Sequence, residues 1–150
     1  MKYAVIGAGG MGIQYGVLLQ EFAHKDVDFV DTWKPNVEKI REQGGAYVSQ
    51  DGEDRHLVPI NVYYPEEYAG QPDVWIVFLK QMQLDGVLKR CAHLFNEKQI
   101  VFSAMNGYGH FEKLNEYFST DCIYGGTALI GAYVYGPRRF QLHRRSTCQG

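Results

Sequence analysis

The sequence has few cysteines, almost no net charge and no long apolar run, and each shortage closes off a class of function. Fifteen lysines and arginines nearly balance 17 aspartates and glutamates, leaving a formal charge of −2. So even a balance gives no strong pull toward nucleic acid or an anionic membrane. Arg138, Arg139, His143, Arg144 and Arg145 form a small basic cluster, which reads as solvated surface. Apolar stretches stop well short of the roughly 20 residues needed to cross a bilayer. The N-terminal MKYAVIGAGG has neither the apolar region nor the cleavage site of a signal peptide. Cys91, Cys122 and Cys148 are far apart and form no CxxC pair, which argues against a disulfide framework or a zinc site and fits a reducing cytoplasm. Metal-ligand spacings, a Gly-x-Ser-x-Gly elbow, a GxxxxGK phosphate loop and internal repeats are also missing. The expectation is a cytoplasmic protein with no metal, nucleic-acid or membrane partner.

What remains is an ordinary globular composition, 45% hydrophobic and 21% charged, in 150 residues, enough for one domain. Strand-length apolar runs alternate with helix-length segments, the rhythm of βαβ units. Strands are expected at 3–6, 27–30, 60–64, 74–79 and 100–105, with 74–79 (VWIVFL) central. A helix over 11–22 carries Met11, Tyr15, Leu18, Leu19 and Phe22 as its apolar stripe. Further helices follow Pro35, run over 81–95, and cover 110–118. Ala46 to Ser49 and Arg55 to Val58 read as a hairpin about an Asp51-Gly52 turn, and 139–143 as an edge strand entered from Gly136-Pro137. The fold class is therefore α/β: a Rossmann-type doubly wound, mainly parallel sheet with helices on both faces.

Ligands of such sheets bind at the carboxyl ends of the strands, and four polar or glycine positions fall there. Gly7, Gly9 and Gly12 have the GxGxxG spacing between a strand and a helix. Gly7 permits the tight turn, Gly9 lets a pyrophosphate approach the backbone, and Gly12 lets the helix pack closely. Met11 lies in the same turn, where free N–H groups at the helix start face the phosphates. Asp31 ends the second strand, nineteen positions after Gly12. There it can accept hydrogen bonds from ribose hydroxyls, which favours NAD(H), with NADP(H) as the alternative should Lys34 turn inward. Lys80 follows the central strand and can meet a carboxylate, a carbonyl or a nicotinamide ribose. Asn106, in Asn106-Gly107-Tyr108-Gly109-His110, offers two donors and an acceptor beside the place for a nicotinamide. His110 reads as first-turn helix rather than as a catalytic base. Tyr63, Tyr64, Tyr68, Trp75, Phe78, Tyr117 and Phe118 read as packing.

With these features in register, the chain resembles the ketopantoate reductase (2-dehydropantoate 2-reductase) family. MKYAVIGAGGMG, IVFLKQMQLDGVL, MNGYGHFEKL and GGTALIGAYVYGPRRFQL carry the resemblance over essentially the full length. Asp31-Thr32-Trp33 looks more like the related NAD-dependent D-mandelate-type dehydrogenases. The resemblance implies reduction of a 2-oxo acid to a 2-hydroxy acid, with Lys80 and Asn106 as catalytic groups where nicotinamide meets substrate. It also implies a helical C-terminal domain, bearing a lysine acid and a substrate-binding glutamate, that lies outside residues 1–150. The expected protein is thus the nucleotide-binding half of a chain about twice as long, with a homodimer left open. Two other readings stay open: a dinucleotide-sensing module without chemistry, and a dehydrogenase of another Rossmann family.

Overall fold

Short apolar strands and amphipathic helices alternate from the first residues onward, and the computed structural model describes residues 1–50, 55–126, 128, 131–134 and 140–143. The order begins β1 (Tyr3–Ile6), α1 (Gly10–Glu21), β2 (Val27–Val30) and α2 (Lys34–Gln43). It continues with β3 (Ala46–Gln50), β4 (His56–Val58), β5 (Asn61–Tyr63), β6 (Val74–Val77) and α3 (Gln81–Cys91), which runs into a 3-10 turn at Ala92–Leu94. Then come β7 (Ile100–Ser103), α4 (His110–Leu114), a 3-10 turn at Thr120–Cys122, β8 (Ile123–Gly125), β9 (Gly131–Val134) and β10 (Phe140–His143). Pro35 sits in the first turn of α2, where its missing N–H costs nothing, and Gly44 closes the helix at φ 73°.

Six strands form one sheet in the order β5-β2-β1-β6-β7-β8, every neighbouring pair parallel. Counted within the sheet this is 3-2-1-4-5-6, and the direction of winding reverses between β1 and β6. Alternate residues of each strand enter opposite cores. Val5, Phe29 and Ile76 pack with Ile13 and Val17 of α1 and Val37 and Ile40 of α2. Ala4, Ile6, Val30, Trp75 and Val77 pack with Leu84, Val87 and Leu88 of α3 and Leu114 of α4. The sheet is therefore doubly wound, as the sequence implies. The aromatic residues behave as packing: Tyr68, Trp75, Phe95 and Phe118 form a chain of tilted and edge-on contacts at 4.7–5.9 Å. Cys91 lies buried in the same core, and burial pushes its thiol up to about 12, leaving it protonated and unreactive.

Three expectations are corrected. The stripe of α1 that goes inward is Gly12, Ile13, Gln14, Gly16 and Val17; Phe22 is 68% exposed, and Met11, Tyr15, Leu18 and Leu19 are only partly buried. Glycine sets this face, because a Cβ on Gly16 would stand 2.1 Å from the Phe29 ring, so only a side-chain-free position allows the approach. The strand at 140–143 is not an edge. It lies between β3 and β9 in a second sheet of order β4-β3-β10-β9, parallel to β3 and antiparallel to β9. The expected hairpin supplies β3 and β4, which pair antiparallel, while its Asp51-Gly52 turn lies outside the described residues. The α1 backbone runs close to β1 and β2 and also to β9 and β10. The helix expected over 110–118 is shorter: α4 ends at Leu114 and turns carry the chain to Phe118. Cys148 and most of the basic cluster also fall outside the described residues.

Candidate dinucleotide site

The parallel register brings the sequence-predicted residues to one edge. Ile6 pairs with Val30 and with Val77, and Val77 pairs with Ser103. Gly7 and Asp31 each lie one residue beyond a paired position, and Gly9, Lys80 and Asn106 each lie three beyond. Hydrogen bonds continue past the strands: the Gly7 N–H donates to the Val30 carbonyl at 2.8 Å and the Phe78 N–H to the Ile6 carbonyl at 2.9 Å. All five positions thus surround the point where the strand order reverses.

The three glycines differ physically. Gly7 has φ +101°, and a Cβ there would lie 2.2 Å from the Phe78 carbonyl oxygen. A Cβ on Gly12 would lie 1.8 Å from the Gly7 carbonyl oxygen, so α1 can start this close to the turn only without a side chain. Gly9 is the opposite case. It precedes α1 as the N-cap residue, and a Cβ on it meets nothing within 4 Å. Nothing among the described residues demands glycine there, and the bare backbone is the kind of surface a pyrophosphate needs. The first turn of α1, which holds Met11, has no acidic side chain, and no side chain caps its N-terminus. Its N–H groups and dipole are left to a negatively charged ligand.

Asp31, 9% exposed, turns its carboxylate toward the glycine turn. Its Oδ2 accepts the Ala8 N–H at 2.7 Å and its Oδ1 accepts the Trp33 N–H at 2.9 Å. The side chain therefore braces the turn, and each oxygen keeps a lone pair for a further donor. Lys34 points along α2 to Glu38, 3.5 Å away. Lys80 is exposed at the N-cap of α3, where its carbonyl accepts the Gln83 N–H at 2.8 Å, and Asn106 is exposed after β7; neither side chain has a hydrogen-bond or ion-pair partner among the described residues. The loop carrying Asn106 passes beside α3, since a Cβ on Gly109 would sit 3.4 Å from Gln81 Nε2. His110 is the first residue of α4, as expected, 4% exposed and with its ring tilted against Phe111 at 4.6 Å.

One participant was not foreseen. Asn36, in the first turn of α2, donates from Nδ2 to the Ala8 carbonyl at 2.8 Å and is almost wholly buried. In sequence it is an asparagine after proline, which reads as helix-start punctuation and carries no sign of this contact.

A six-stranded parallel sheet of order 3-2-1-4-5-6 with a glycine turn at its switch point defines a Rossmann-type doubly wound α/β fold. The family model described as Ketopantoate reductase PanE/ApbA matches residues 3–149. The chain belongs to the ketopantoate reductase PanE/ApbA family. It is 30% identical over 144 residues to a 2-dehydropantoate 2-reductase of Lactococcus lactis, covering 95% of this chain and 45% of that protein. Among solved structures, D-mandelate dehydrogenase with NADH and anilino(oxo)acetate superposes with a TM-score of 0.88 at 29% identity, covering 95% of this chain and 45% of that one. A 2-dehydropantoate 2-reductase from Geobacter metallireducens gives a TM-score of 0.80 at 26% identity over 96% of this chain and 46% of its own. The chain thus spans about half the length of the relatives it matches. Among the described residues no helix is long and apolar enough to cross a membrane.

Proposed function

We propose that this chain is the dinucleotide-binding domain of an oxidoreductase that reduces a 2-oxo acid, 2-dehydropantoate or one similar, to the 2-hydroxy acid. The observation that carries the reading is the convergence, at the switch point, of an open glycine turn, Asp31 and two unpartnered polar side chains, Lys80 and Asn106. The residues fit a dinucleotide: the Gly9 surface is open, and the start of α1 offers free N–H groups without competing acid. NAD(H) is favoured over NADP(H), because the Asp31 carboxylate suits ribose hydroxyls and opposes a 2′-phosphate, while Lys34 is directed to Glu38. The solved D-mandelate dehydrogenase complex, with NADH beside a 2-oxo acid, supports the same pairing of cofactor and substrate class.

A bound dinucleotide supplies the hydride; the protein supplies position and charge. Gly7, Gly9, Met11 and Gly12 hold the pyrophosphate, and Asp31 holds the adenosine ribose. The Lys80 ammonium attracts the substrate carboxylate or the oxygen on which negative charge develops. Asn106 orients nicotinamide and substrate through its amide. A second, helical domain completes the site in our reading, in keeping with a chain that covers 45% of its relative's length.

Following NADH absorbance with 2-dehydropantoate and an aryl 2-oxo acid tests the reaction. The 150-residue chain is expected to hold NADH yet turn over little, and a longer chain with the domain that follows to reduce at least one of these acids. Rapid reduction by the 150 residues alone would overturn the two-domain reading. Inertness of the longer chain toward every 2-oxo acid tried would overturn the assigned reaction.

A further inference from the structure

We infer that Asn36 is a positioning residue which, acting through Ala8, aims the Gly9 N–H at the phosphates of a bound dinucleotide. The inference rests on the dinucleotide reading above. A trans peptide is planar, with each carbonyl antiparallel to the N–H that follows it. Asn36 Nδ2 holds the Ala8 carbonyl toward α2 at 2.8 Å, so the N–H on the other side of that peptide, from Gly9, faces away from α2. Gly9 is exposed, and its N–H has no partner among the described residues, so that donor is left to a ligand. Asp31 makes the matching hold on the preceding peptide, accepting the Ala8 N–H at 2.7 Å.

Ala8 is therefore gripped on both of its peptides, by Asp31 just beyond β2 from one side and by Asn36 of α2 from the other. The grip has a purpose because Ala8 lies between two glycines, whose dihedral freedom would otherwise let the turn swivel. A donor already aimed needs no ordering when the anion arrives, so the loss of freedom is met in folding and not in binding. Asn36 is itself well anchored. Its own N–H and that of Val37 donate to the Trp33 carbonyl, each at 3.1 Å, and Trp33 in turn donates to Asp31. A closed circuit of Ala8, Asp31, Trp33 and Asn36 thus ties the second βα connection to the first.

Asn36→Asp is nearly isosteric and sets a carboxylate oxygen against the Ala8 carbonyl; Asn36→Ala simply removes the donor. The two variants are titrated with ADP-ribose, which carries the pyrophosphate, and with adenosine, which does not, at a temperature where calorimetry finds the protein folded. ADP-ribose affinity is expected to fall roughly 10-fold or more in both variants, the scale of a lost buried hydrogen bond, and adenosine affinity to hold within about 3-fold. Asn36→Ala carries the test should Asn36→Asp fail to fold. Equal losses for the two ligands would mark Asn36 as a merely structural residue and overturn the inference, as would unchanged ADP-ribose binding. Failure of the unaltered chain to bind ADP-ribose is a different outcome: it overturns the dinucleotide reading itself.

Discussion

Gly12→Val is expected to abolish measurable dinucleotide binding and to destabilise the domain. The first new atom would fall 1.8 Å from the Gly7 carbonyl oxygen and 3.2 Å from Val5 Cγ1. Neither neighbour is the free end of a flexible side chain: one is the backbone of the turn itself and the other lies in the core. The start of α1 must move away from the sheet, and overpacking of this kind costs about 1–3 kcal/mol or more. The N–H groups that we propose meet the pyrophosphate move with it, so NADH affinity should drop at least roughly 100-fold, about 2.7 kcal/mol. Gly9→Ala separates the two effects. Its methyl meets no atom of the described residues within 4 Å, so the melting temperature should hold while binding weakens. Paired calorimetric melting and NADH titration of both variants check this. A Gly9→Ala protein that binds as well as the parent would show that no ligand lies against that surface.

The second large effect is at Asp31. Asp31→Ala strips the acceptor from two backbone N–H groups, those of Ala8 and Trp33. Ala8 is fully buried, so its orphaned donor bears most of the penalty, on the order of 1–3 kcal/mol. We expect a total loss of roughly 2–4 kcal/mol in chemical denaturation, with NADH affinity at least about 10-fold weaker from loss of the ribose acceptor. Asp31→Asn keeps one acceptor oxygen and should fall between the two. Adenosine binding separates this residue from Asn36, because Asp31→Ala should weaken it and Asn36→Ala should not. An Asp31→Ala protein with parental stability would contradict the bracing of the glycine turn drawn here.

The first βαβ unit could be read from sequence because local rules agree there. A doubly buried strand ends in glycine, a helix begins, and an acid ends the next strand at the distance a ribose requires. Asp31, Lys80 and Asn106 could be placed because a parallel sheet puts every strand end on one edge. The inward face of α1 could not. An apolar stripe counts side chains, and here the closest approach belongs to Gly12 and Gly16, which have none. β10 read as an edge because its pattern shows alternation but not its partner, and β3 lies some 90 residues earlier in the chain. The orientation of Asp31 was equally hidden: its spacing suggests a ribose, yet its two strong hydrogen bonds go to backbone N–H groups. Asn36 was missed for a related reason, since its partner is a main-chain carbonyl 28 residues away and no motif records such a contact.

Direct titration of the purified chain with NADH and with NADPH, by calorimetry, bears most closely on the central claim. Saturable binding of one NADH per chain is expected, with weaker binding of NADPH and loss of both in Gly12→Val. Tighter binding of NADPH would contradict the assignment of Asp31 to the ribose, and absence of binding to either dinucleotide would contradict the account as a whole.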